Sequence, residues 1–405
     1  MVESYKGFAK NLQGASINMK GTYEFLAQDR VIFGEPAAQA VLQTANHYGA
    51  KRVYLVASKT LNRATDEIQK IRDALAERYV DTFDECVEHT PRSSVIELTA
   101  RLRQANPDLV VTIGGGTPVD TVKLALLCLA ENVQDEQTLG EFRIQVNAQG
   151  ERHVPAVGKP PVRQVVIPTT LSAAEFTNLG GCTDPVRQVK DLYTGREIGA
   201  MVVILDPAIT RHTPQWLWMA TGVRALDHAV ETLCSSSHQP FTDATCLHGL
   251  TLLIRGLEQV KRDPDDLEAR LNCQLGVWLS ATGIMRVPMG ASHGIGHQLG
   301  AVAGVPHGHT SCVLLPAVMR HNASVNAERQ ALIANALGAP ETPAHILVAD
   351  VIRSLEMPTT LRDVGVKRDQ FEAIADGALQ NMWVRTNPRK IDTKEQVFEI
   401  LESCW

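Results

Sequence analysis

The chain lacks any apolar run approaching the roughly 18 residues that a membrane-spanning helix needs. Its N-terminus, Met1-Val2-Glu3-Ser4-Tyr5-Lys6, has no basic region leading into an apolar one, so no signal peptide is expected. Cys-x-x-Cys pairs are missing. The eight cysteines, at 86, 128, 182, 234, 246, 273, 312 and 404, stand singly and read as small buried hydrophobes in a reducing compartment. Positive charge is not in excess: 39 Lys and Arg against 45 Asp and Glu give a net −6. Neither nucleic acid nor an anionic membrane is therefore an expected partner. Internal repeats and low-complexity tracts are absent as well. What is present is ordinary for a cytoplasmic globular protein: 405 residues, 44% hydrophobic and 21% charged, with room for two domains.

From residue 30 to about 205, short β-branched runs alternate with helix-like segments. The strands expected are 52–57, 108–113, 164–168 and 201–205, with helical spacing over 62–78 and 93–104 between them. Such alternation predicts a doubly wound parallel sheet, which binds ligands beyond the carboxyl ends of its strands. After Asp206-Pro207 the strand signal stops, and 214–235, 242–261, 267–282 and 327–337 read as helices. The expectation is an α/β domain over 1–205 and an all-helical domain over 206–405, with 133–161 a long loop holding at most a small hairpin.

The strand at 108–113 runs into Gly114-Gly115-Gly116-Thr117-Pro118, followed by an apolar helix containing Asp120 and Lys123. Glycines there let the backbone approach a pyrophosphate, and the next helix offers free N–H groups and a positive dipole end. The alternative is a Gly-rich turn without a ligand, and this is not the G-x-G-x-x-G fingerprint. A second candidate is Pro168-Thr169-Thr170, at the end of another strand. Its hydroxyls would either contact a cofactor or cap the following helix.

The densest signal is His293, His297, His307 and His309, four imidazoles within seventeen residues of a Gly-rich, apolar segment. Imidazole ligates transition metals and shuttles protons near neutral pH. His293 and His297 are four apart and share a helical face, as do Arg224 and His228 on an upstream helix. A lone histidine is ordinarily a satisfied core residue, and His309 and His321 are read that way. Several together leave too many buried polar atoms for that reading.

These residues together resemble the iron-containing (group III) alcohol dehydrogenases, a family that includes maleylacetate reductases. The resemblance runs from Phe33-Gly34 through the Gly114 turn and Thr169-Thr170 to the histidine block and Asn387-Pro388-Arg389. It implies a Rossmann-like first domain, a helical second domain of the dehydroquinate synthase-like fold, and a homodimer. It also implies NAD or NADP bound by Gly115, Gly116, Thr117, Asp120, Thr169, Thr170 and Lys190. A divalent iron or zinc would be held by an Asp-x-x-x-His pair and two later histidines, here His228, His293 and His307. His297 matches an additional active-site histidine of the family.

The pattern breaks at three places. Arg224 stands where the metal-binding aspartate belongs, and Asp227, one residue before His228, points about 100° away on a helix. A guanidinium facing three histidines repels a divalent cation; it can instead stabilise oxyanion character or hold a substrate carboxylate. The Thr169–Glu175 segment is one residue shorter than in alcohol dehydrogenases, as in the maleylacetate reductase branch. Ser58, next to Lys59, replaces an acidic residue that bonds the adenosine ribose in NAD-preferring members, so NADPH is expected to be accepted.

The expected activity is hydride transfer between nicotinamide and a small carbonyl or alcohol substrate. Arg224, His228, His293 and His307 would polarise the carbonyl, and His297 would deliver the proton. The rivals are a metal-dependent alcohol dehydrogenase using His228, His293 and His307, and a dehydroquinate synthase-like lyase.

Overall fold

The computed structural model describes residues 20–146, 152–184, 186–187 and 189–405. Its first half is built on a six-stranded sheet, with strands β1 (Arg30–Phe33), β2 (Val53–Ala57), β3 (Tyr79–Phe83), β4 (Leu109–Gly114), β7 (Gln164–Pro168) and β10 (Ala200–Leu205). Every pairing is parallel, and the order is β1-β10-β7-β4-β2-β3. The four central strands are those expected from the sequence. They are buried on both faces and so read as unbroken Val/Ile/Leu runs. Each face is packed by its own apolar cluster, one around Val53, Leu55 and Ile113, the other around Tyr54, Val56 and Val110. Helices α1 (Ala37–Tyr48), α2 (Lys59–Ala64), α3 (Glu67–Leu75), α4 (Arg92–Ala105) and α5 (Gly116–Ala130) connect the strands.

Several details correct the sequence reading. The single helix expected over 62–78 is α2, α3 and a short 3-10 turn. Thr65 is extended between the first two, its Oγ1 donating to Leu61 O (2.6 Å) and accepting from Glu67 N (3.3 Å), so one hydroxyl ends one helix and starts the next. The loop expected over 133–161 contains helix α6 (Glu136–Glu141) and a hairpin of β5 (Gln145–Val146) and β6 (Arg152–His153); 147–151 lie outside the described residues. A second hairpin, β8 (Leu179–Asp184) and β9 (Val189–Thr194), is unanticipated.

From Gln215 onward the described elements are helical: α7 (Gln215–Cys234), α8 (Pro240–Arg262), α9 (Leu267–Ser280), α10 (Ala291–Ala303), α11 (His307–Ala336), α12 (Ala344–Ser354), α13 (Phe371–Gln380), α14 (Met382–Arg385) and α15 (Lys394–Ser403). The helix expected over 327–337 is the far half of α11, kinked at Asn326, whose side chain donates to Cys234 O (3.3 Å) and accepts from Gln330 Nε2 (2.9 Å). The glycines of the histidine block permit close helix packing. A Cβ on Gly294 would lie 2.5 Å from Val384 Cγ2 of α14, and one on Gly308 would lie 2.8 Å from the Ala220 backbone of α7. Among the described residues no helix is long and apolar enough to cross a membrane.

Candidate active site

The sheet order reverses between β2 and β4, which is where an open α/β sheet takes a ligand. Ser58 leaves β2 there, its N–H bonded to Ile113 O (2.9 Å), and Gly114-Gly115-Gly116 leaves β4. Gly115 is the N-cap residue of α5, and Thr117 and Pro118 lie in its first turn. The backbone lies where side chains would collide: a Cβ on Gly114 would sit 2.6 Å from Pro118 Cγ, and one on Gly115 3.0 Å from Thr170 Cγ2. This bare cradle over a fifteen-residue helix suits a dinucleotide pyrophosphate. Thr169 and Thr170 are buried beside it. The 3-10 turn that follows them has Ala173 as its N-cap residue and no side-chain cap, so their hydroxyls do not serve as its cap.

Asp120 behaves differently from a cofactor contact. Its Oδ1 accepts from Lys123 Nζ (3.0 Å) and its Oδ2 from Gly181 N (3.0 Å), while Lys123 also donates to Leu179 O (2.7 Å). Asp120 thus fastens the β8–β9 hairpin, which carries Lys190, onto α5. The charge of Lys190 in turn lowers the proton affinity of His297 and His307.

Glu175, buried behind Thr169-Thr170, has its carboxyl pushed up to about 7 by burial, with Lys123 opposing. A folded-state value above the ordinary 4.5 means the folded chain binds this proton more tightly than the unfolded chain. Stability is therefore full below the unfolded value and falls as pH rises toward 7. Urea unfolding across this range is expected to show a decline of roughly 1–3 kcal/mol that Glu175→Gln removes. An unchanged slope in the variant would contradict the assignment.

Arg224 and His228, one turn apart on α7, His293 and His297 on α10, and His307 at the start of α11 come together. The His228 and His293 rings are 5.0 Å apart and the His297 and His307 rings 5.9 Å. Trp383 of α14 lies 5.6 Å from His293 and 4.7 Å from His297 and so joins the two pairs. His309 falls outside, beside Trp216, and His321 is buried beside Arg389.

Burial and the Arg224 charge together decide the state of these rings. Arg224 is 4% exposed; its Nη1 donates to Ser311 Oγ (2.9 Å) and lies 3.6 Å from Asp227 Oδ2. Burial lowers its proton affinity, with Asp227 and Glu231 opposing, and a guanidinium keeps its charge. That charge is the largest influence holding His307 well below the ordinary range. Burial leads and Arg224 adds for His297 and for His293, which is held at about 3. Burial is again the main cause at His228, helped by the charges of His293 and Arg224. All four rings are neutral at pH 7.

Three residues to which the sequence reading gave no role in the site organise the cluster. Glu231 accepts from Gly290 N (2.9 Å), Ser292 N (2.8 Å) and His293 Nδ1 (2.8 Å), so it caps α10 and fixes the His293 ring together. Its carboxyl is pushed up to about 6 by burial, against those amide donors. Asn387 completes the cap by accepting from Ala291 N (3.1 Å). Asn381 Nδ2 donates to His297 Nδ1 (3.3 Å). Asp227 is neither distant nor aimed at the His228 side. Its Oδ2 accepts from Ser292 Oγ (2.8 Å) and Ser311 Oγ (2.6 Å) and lies 3.5 Å from His293 Nδ1, behind that ring.

The donor set can be tested against a divalent ion. His228 Nδ1, His293 Nε2 and Asp227 Oδ1 are buried without partners, as metal ligands or substrate contacts would be. Asp227, Glu231 and His293 also bring ligand atoms within 4.8 Å of one another. Asp227 Oδ2, both Glu231 oxygens and His293 Nδ1 are, however, already hydrogen-bonded, and a guanidinium occupies the ligand slot on α7. The α7 position thus offers a cation where the family's carboxylate ligand would stand.

The crevice of the sheet and the imidazole cluster define a nicotinamide-dependent oxidoreductase. The chain belongs to the iron-containing alcohol dehydrogenase family: the model of iron-containing alcohol dehydrogenase matches residues 28–207, and that of the Fe-containing alcohol dehydrogenase family C-terminal part matches 218–405. Dehydrogenase FUM7 of Gibberella moniliformis is 32% identical, covering 92% of this chain and 95% of its own. Maleylacetate reductase 1 of Rhodococcus opacus is 29% identical over 93% and 94%. The crystal structure of maleylacetate reductase from Agrobacterium tumefaciens superposes with a TM-score of 0.80 at 25% identity, covering 96% and 99%.

Proposed function

We propose that this oxidoreductase reduces a small oxo acid or aldehyde with NADH or NADPH, in the manner of a maleylacetate reductase, without a divalent metal. The observation that carries this reading is the buried Arg224 guanidinium among four neutral imidazoles. Gly115, Gly116, Thr117, Thr170 and Ser58 would line the cofactor crevice, with Thr169 and Lys190 at its inner end.

Reduced nicotinamide, when bound, supplies the hydride to the carbonyl carbon. The carbonyl π pair then moves to oxygen, where Arg224 holds the developing oxyanion. His228 and His293 present unpartnered nitrogens that orient the substrate, and His307 closes the other side. With its Nδ1 accepting from Asn381, His297 carries its hydrogen on Nε2 and donates a hydrogen bond to the alkoxide, which takes its proton from solvent water and leaves hydroxide to the solvent. A substrate carboxylate would add bidentate contacts to Arg224. Family resemblance further supports a homodimer, and the scattered free cysteines support a cytoplasmic location.

The test is a screen of maleylacetate-like oxo acids and simple aldehydes with each reduced dinucleotide, followed by nicotinamide absorbance. Sustained oxidation of the dinucleotide with an oxo acid is expected. Catalysis confined to simple alcohols, or net lyase turnover with no lasting absorbance change, would contradict the proposal.

A further inference from the structure

A cluster of charges stands at the adenosine end of the cofactor crevice, apart from the chemistry. Phe83 of β3 pairs with Val56 of β2, so Asp84 and Glu85, leaving β3, run abreast of Ala57 and Ser58. The next residue, Cys86, packs against the apolar cluster that includes Val56 of β2 and Val122 of α5. Ser58 itself borders the crevice, its Cβ 3.5 Å from where a Cβ on Gly114 would stand.

The two cations next to this point are already engaged. Lys59 Nζ lies 3.4 Å from Glu85 Oε2, and Arg63 Nη2 bonds Glu85 Oε1. Arg63 also grips Asp84 through Nε (2.7 Å) and Nη2 (3.0 Å), and Asn62 Nδ2 donates to the same carboxylate (2.9 Å). Asp84 is thus turned into α2. Glu85 is half-exposed and shared between both cations.

NADPH differs from NADH by a dianionic 2′-phosphate on the adenosine ribose, which an acidic residue at the end of this strand would repel. Ser58 supplies no such charge. We propose that Glu85 sets the NADH/NADPH balance by holding Lys59 and Arg63, the two cations that a 2′-phosphate would recruit. Glu85 acts through those cations and not by touching the ribose. Exposed ion pairs are weak, so the wild-type protein accepts NADPH, with lower affinity than NADH. The inference rests on the NAD(P)H reading proposed above.

The test is fluorescence titration of the wild-type protein and Glu85→Gln with NADH and NADPH. The variant is expected to raise NADPH affinity about tenfold, the effect of removing one unit charge within a Debye length of a dianion. NADH affinity stays within about twofold, because the 2′-hydroxyl carries no charge to respond. The gain should shrink at high salt and vanish in Glu85→Gln/Lys59→Gln/Arg63→Gln, which removes both cations. Both dinucleotides binding with an unchanged ratio overturns the role of Glu85 and leaves the functional reading standing. Binding of neither dinucleotide to the wild-type protein overturns both.

Discussion

Replacing Arg224 by Ala lowers kcat by about 10²–10³-fold, the usual effect of removing one donor aimed at a developing oxyanion. The loss has two sources. The oxyanion is left without a fixed cation, and the charge that leads in keeping His307 neutral is gone, while burial still holds His228, His293 and His297 down. Removing one member of a buried pair also strands Asp227, a destabilising change of about 3–5 kcal/mol. Arg224→Met/Asp227→Asn therefore provides the cleaner comparison, since it removes both charges together. Its turnover should be as low as that of Arg224→Ala, with dinucleotide affinity intact. Arg224→Lys keeps the charge but loses the planar fork, so only part of the rate should return. Steady-state kinetics with NADH decides the matter. Wild-type turnover in the double variant would remove Arg224 from the mechanism.

Glu231→Ala is the second substitution with a large expected effect, and it acts on stability. Three buried donors, Gly290 N, Ser292 N and His293 Nδ1, lose their acceptor at once. At about 1–3 kcal/mol for each orphaned buried group, the variant should lose roughly 3–9 kcal/mol in denaturant unfolding. Glu231→Gln retains one carbonyl oxygen and can satisfy only part of the set, so it should fall between. A loss below about 1 kcal/mol in Glu231→Ala would mean that water replaces the carboxylate and that Glu231 does not hold the His293 ring.

How much of this could be read in advance depended on whether the causes were local. Strands β2, β4, β7 and β10 are buried on both faces and announce themselves as unbroken β-branched runs. The edge strands do not: β1 has four residues, β3 is mostly half-exposed, and β8 contains two glycines, so none carries that pattern. Arg224, His228, His293 and His297 were legible because helical spacing puts each pair on one face. Asp227 and Glu231 had a weaker signal, lying four apart on that same helix, and the pattern gave no reason to couple them to His293. Asn381 and Trp383 had none, since they reach His297 from a separate helix through tertiary packing. Asp120 has a task that the family motif did not announce: its Oδ2 accepts from Gly181 N of the β8–β9 hairpin and its Oδ1 from Lys123 of its own helix.

The central claim is that Arg224 takes over the electrostatic task of a divalent ion in this member of the family. Its most direct test is the metal content of purified protein, produced with iron and zinc supplied, with activity measured on the same sample before and after chelation. The account predicts metal far below one ion per chain and activity that survives the chelator. Near-stoichiometric iron or zinc, lost together with activity on chelation and restored with it, would contradict the account.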